Sequence, residues 1–116
     1  MLVVSWIKST ADAWLPLEIV NLSAVSTMGV YIIWHSGNPG RVVRVGQGDS
    51  AERIAAHKKD AQVLGYKKFG KLFVTWAAVS VFQRDGVERY LAENWKPLIG
   101  DRFPNVAPIA VNSPWG

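Results

Sequence analysis

The chain reads as a small α/β (α+β) domain, a three-stranded mixed sheet flanked by helices. Three observations predict it. Val30 to His35 and Arg41 to Val45 are β-branched and separated by Ser36-Gly37-Asn38-Pro39-Gly40, a run of turn formers, so they form a hairpin. Leu72 to Ala78 is apolar on both faces, as expected of a covered central strand. Between and after these runs lie two segments with helical apolar spacing, 50–61 and 86–95.

Each element has local signals. Gly46-Gln47-Gly48 ends the second strand. Asp49 can cap the first helix, with Glu52 three residues on completing a capping box. Ala51, Ile54 and Ala55 form its buried stripe. Asp85 is the expected cap of the second helix, whose stripe is Val87, Tyr90, Leu91 and Trp95, and Pro97 closes it. Residues 1–28 are an N-terminal extension packed on the domain, with Pro16 interrupting any helix. Residues 29–116 form the domain itself, with a proline-punctuated tail from Pro104 to Trp115 strapped across it.

Composition sets the bounds. At 116 residues, 49% of them apolar, the chain can bury one core without staples. Six tryptophans imply core or rim positions with a satisfied indole N–H. The absence of cysteine excludes disulfides and thiolate metal sites and fits a reducing cytoplasm. No apolar run reaches the roughly 20 residues that span a bilayer, and Met1 to Ile7 lacks the basic leader of a signal peptide. The net charge is +4 and it is localised. Segment 41–71 holds eight bases and three acids, net +5, while the rest holds five bases and six acids, net −1. Such a segment suits a phosphate backbone, and Arg41, Arg44, Lys58, Lys59, Lys67 and Lys68 are its candidate contacts; a solvated lysine-rich surface would look the same.

Four residues could carry chemistry. Arg53 and His57 stand four apart on one helix face, a cation beside an imidazole, which suits a phosphate as well as an exposed polar face. Glu88 lies in the first turn of the second helix, where the dipole favours a carboxylate regardless of function. Tyr31 lies within an apolar strand, where a tyrosine is ordinarily a core residue with its hydroxyl satisfied at an edge.

The order of these residues resembles the GIY-YIG nuclease superfamily over roughly 29–100. Gly29-Val30-Tyr31 is similar to its first signature, with valine for isoleucine. Arg44-Val45-Gly46 is similar to the second, with Arg44 where the family has tyrosine. Arg53 and His57 follow on the next helix, and Glu88 with Leu91 and Pro97 resembles the carboxylate segment. The resemblance implies hydrolysis of DNA phosphodiester bonds with Mg²⁺ or Mn²⁺. Glu88 would hold the metal, Arg53 would stabilise the charged phosphate with His57 in support, and Tyr31 would activate or position water. The family's asparagine falls near Gly100, and Asn105 or Asn112 is the candidate to replace it from the tail. A homodimer or a separate recognition partner would select the target. Because Arg44 cannot act as a base, an inactive GIY-YIG-like module that holds nucleic acid or protein is the alternative. A basic domain whose tryptophan-rich surface binds protein is a third.

Overall fold

The computed structural model describes residues 1–100 and 102–116. The strands are β1 (Leu15–Pro16), β2 (Met28–His35), β3 (Arg41–Asp49) and β4 (Leu72–Ala78), and the helices are α1 (Ser50–His57), α2 (Ala61–Leu64) and α3 (Arg84–Trp95). A 3₁₀ turn, Gly65–Phe69, joins α2 to β4. The fold is α+β, as expected, but its sheet has four strands in the order β1-β4-β2-β3, and every pairing is antiparallel. Two expectations are thereby corrected. The fourth strand is a two-residue pairing of Leu15 and Pro16 with Val74 and Phe73, too short to give a period-2 signal. Its proline sits at a sheet edge, where no donor is needed. The mixed sheet required a parallel crossover. Instead the α1–α2 connection returns the chain antiparallel beside β2.

The sheet separates two apolar clusters. Tyr31, Ile33, Val43, Val74 and Trp76 pack with Ile54 of α1, with Val63 of α2, and with Leu17 and Val20 of the extension. Val30, Ile32, Trp34, Val42 and Val45 pack with Val87, Leu91 and Ala92 of α3 and with Val111 of the tail. Both Val42 and Val45 face α3, although strict alternation would put them on opposite faces. The register shifts between Ile33 and Trp34: Ile33 opposes Arg44 and Trp34 opposes Val42, leaving Val43 as the extra residue of a bulge. The bulge puts Arg44 and Gly46 on the Tyr31 face.

Asp49 caps α1, its Oδ1 accepting from the Glu52 N–H at 3.2 Å. The helix stops at His57 rather than near Ala61, because Asp60 caps a new turn by accepting from Gln62 N–H at 2.9 Å. The second predicted helix begins two residues early. Gln83 occupies the cap position without a side-chain bond, and Asp85 lies in the first turn instead. The extension and tail are tied together. Leu2 bridges Val111, and the Asn112 amide clamps Val4, accepting from its N–H at 2.7 Å and donating to its carbonyl at 3.0 Å.

Candidate active site

β3 is an edge strand, and the chain treats its two halves differently. The first half is covered: after α3, Leu98 and Ile99 donate backbone bonds to the carbonyls of Val42 (3.1 Å) and Val43 (2.8 Å). Beyond the bulge a cavity of about 240 Å³ opens. Tyr31 comes to it from β2, Arg44 and Gln47 from β3, Arg53 from α1, Glu88 from α3, and Arg102 from the tail.

Glycines make room for this arrangement. A methyl group at Gly46 would lie 2.5 Å from Tyr31 Cζ and 2.8 Å from Cε1, so the phenol ring lies across β3 only because residue 46 has no side chain. At Gly29 a methyl would run into the Ala77 carbonyl of β4 and come within 2.8 Å of the Val79 nitrogen. The glycines of the two sequence signatures thus have packing roles of their own.

The Tyr31 hydroxyl meets His57 Nε2 at 2.7 Å, and both side chains are buried. His57 Nδ1 faces the Asp60 carboxylate at 4.0 Å. That neighbour favours the proton on Nδ1 and leaves Nε2 to accept from the phenol. Burial lowers the His57 pKa from 6.5 to about 4, helped by Arg44 and Arg53 and opposed by Asp60. The imidazole is therefore neutral at pH 7. Burial raises the Tyr31 pKa above 10.0 even though contact with Arg44, and the charges of Arg44 and Arg53, pull it down. In the free protein Tyr31 is a phenol rather than a phenolate.

Glu88 is 9% exposed, and burial raises its pKa above 4.5. Its hydrogen bond from Gln47 and the charges of Arg44 and Arg53 oppose the shift, and Asp85 adds to it. Gln47 Nε2 donates to Asp85 Oδ1 at 2.6 Å and reaches Glu88 Oε1 at 3.5 Å. Arg44 Nε is buried and has no hydrogen-bond partner among the described residues. A buried guanidinium donor of this kind calls for an acceptor.

All four residues expected to carry chemistry come together here, with His57 reaching the cavity through Tyr31. His57 is not on an exposed polar face, as its spacing from Arg53 allowed. Ser50, Ile54 and His57 are the buried positions of α1, an i, i+4, i+7 stripe that could have been read from sequence. The candidate nucleic-acid contacts divide. Arg44 lines the cavity, whereas Arg41 lies at the other end of β3 beside Trp34 and Trp95. Lys58 Nζ donates to the Val20 carbonyl at 2.9 Å, Lys67 pairs with Glu18 at 3.3 Å, Lys68 lies 5.2 Å over the Phe69 ring, and Lys59 is exposed. Asn112 is occupied by Val4 and Asn105 is exposed; neither lines the cavity. Gln47 and Arg102 were not singled out. Gln47 falls in the Gly46-Gln47-Gly48 segment expected to end the strand, which instead runs on to Asp49, and nothing in a proline-punctuated tail tells which residue folds back.

Among the described residues, no helix is long and apolar enough to cross a membrane. Comparisons with family models, curated proteins and solved structures found no match to this chain.

Proposed function

We propose that this chain is a divalent-metal-dependent endonuclease that hydrolyses DNA phosphodiester bonds, a GIY-YIG-like domain with Arg44 at the second tyrosine position. The observation that carries the reading is the single cavity in which a phenol, a carboxylate and three arginines converge from five segments of the chain. Phosphodiester hydrolysis needs an aimed water, neutralisation of growing negative charge, and stabilisation of the leaving oxygen.

Among the described residues, no three His, Cys, Asp or Glu side chains form a closed metal cage. Mg²⁺ does not require one: it keeps several waters and takes one or two carboxylates plus substrate phosphate. Glu88 at the cavity wall, with Asp85 beside it through Gln47, fits that donor set. When bound, the metal would supply positive charge against the phosphate. Arg44 and Arg53 bring fixed donors to the phosphate oxygens. The Tyr31 hydroxyl, held by His57, positions the water, and neutral His57 can take the phenol's proton as the water gives up its own. Cations at the cavity favour that transfer by stabilising developing phenolate charge.

One observation favours a binding module instead: Tyr31 is held protonated and Arg44 cannot replace the second tyrosine as a base. The deciding experiment is nicking of supercoiled and branched DNA with Mg²⁺ or Mn²⁺, wild type beside Glu88→Gln. Metal-dependent nicking that disappears in the variant is expected. The variant's melting temperature should hold or rise, because the substitution removes a carboxylate whose ionisation burial opposes. Salt-sensitive DNA binding without cutting by either protein would replace the nuclease with the binding module.

A further inference from the structure

We propose that a second site, at the hairpin end of β3, holds an unpaired nucleobase. Trp34 of β2, Trp95 at the end of α3 and Trp115 of the tail line a cavity of about 310 Å³ with Gly40, Arg41 and Val42. Their rings meet at right angles rather than in a closed stack. Trp115 lies 5.0 Å from Trp34 at 87° and 4.9 Å from Trp95 at 79°. The cluster extends to Trp14, 5.3 Å from Trp34, and to Phe73, stacked on Trp34 at 5.8 Å. Trp115 is 38% exposed, so filling the core does not account for it.

The charge around this cluster selects the ligand. Arg41 lines the cavity, Lys71 lies 5.8 Å from the Phe73 ring centre, and Lys8 lies 4.4 Å from that of Trp14. Lys8 also reaches Asp12 at 3.6 Å, an acid 89% exposed. Arg41 at the cavity and the lysines on the flanking rings oppose a quaternary ammonium guest, the usual occupant of an aromatic cage. They suit a planar base carried on a phosphate backbone. Aromatic faces beside a basic track are how single strands are held without sequence preference. A base inside a duplex is stacked on both faces and cannot enter, so the site discriminates for unpaired strand. Arg41, grouped by sequence with a single basic footprint, belongs to this second site instead. The inference does not rest on the nuclease reading, since it needs neither metal nor cleavage.

The test is fluorescence anisotropy of a short end-labelled single-stranded oligodeoxynucleotide, with EDTA present so that no cutting intervenes. Wild type should bind it about tenfold more tightly than an abasic strand of equal length, which keeps the phosphates and lacks the bases. Trp115→Ala should lose about tenfold in affinity, with Trp115→Phe restoring most of it. Arg41→Ala should weaken binding at low salt and make its salt dependence shallower. Equal binding of the abasic strand by wild type, or unchanged affinity in a folded Trp115→Ala, would overturn the proposal. So would displacement of the strand by a proline-rich peptide that binds more tightly.

Discussion

Buried His57 should make the stability of this fold depend on pH between about 4 and 6.5, and replacing it should remove that dependence. Burial, more than the charges of Arg44 and Arg53, holds the His57 pKa down from 6.5 to about 4, against the pull of Asp60. The unfolded chain lacks that burial, so within this window it binds a proton the folded chain refuses. Stability therefore rises with pH through the window. The His57 contribution is complete above 6.5 and is lost as the pH falls to about 4. At 1.36 kcal/mol per pH unit the full swing is about 3 kcal/mol. His35, also pushed down by burial and by Arg41, acts in the same sense. Glu88, whose pKa is raised, acts in the opposite sense: its contribution is present at low pH and fades as the pH rises through its folded value. The informative quantity is therefore the difference between wild type and His57→Gln, which keeps an acceptor near the Tyr31 hydroxyl and cannot titrate. Urea unfolding at pH values from about 4 to about 7 measures it. The stability of wild type relative to the variant should increase by about 3 kcal/mol across that range. Parallel curves for the two proteins would refute the argument, since a histidine solvated in the fold would give no difference.

Three further substitutions test the packing of the site and its supports. Gly46→Ala should push the Tyr31 ring off its hydrogen bond with His57, costing about 1–3 kcal/mol in a thermal melt and abolishing any nicking. Gly65→Ala, where a methyl group meets nothing within 4 Å and φ is −58°, should instead stabilise by about 0.4–1 kcal/mol. Asn112→Ala leaves the Val4 N–H and carbonyl without their partners and should cost about 1–3 kcal/mol, with faster amide exchange along residues 2–6.

Much of this architecture was legible because the signals were local. The hairpin, β4 and the start of α1 follow from β-branched runs, turn formers and Asp49, each acting within a few residues. Most of the features that escaped depend on what is distant in sequence. β1 is a strand only because β4 runs beside Leu15 and Pro16. Asp60 stops α1 by capping a new turn, a role its position inside a periodic segment hid. His57 looked like one of a pair of surface residues. Its burial was readable from its spacing with Ser50 and Ile54, but its partner was not: the Tyr31 phenol meets it across 26 positions of sequence. Tyr31, Arg53 and Glu88 could be singled out one by one from the sequence, but it had no means of showing that the tail adds Arg102 to the same cavity.

The treatment of one sheet edge connects fold to site. An open edge strand offers unpaired donors and acceptors to any passing chain, so proteins cover or interrupt such edges. Here the cover and the interruption both fall on β3. Leu98 and Ile99 bond to Val42 and Val43, and the bulge at Val43 shifts the register with β2, which resumes at Arg44. Without the extra residue, Arg44 would face α3 with Val45's present neighbours, and its guanidinium would displace core side chains. With it, Arg44 joins Gly46 on the Tyr31 face, and Arg102, which follows the covering segment in sequence, lines the same cavity. The cavity is what remains of an edge that is closed only halfway. Its cations come from the strand, from α1 and from the covering segment, so the device that protects the edge also delivers charge to the site.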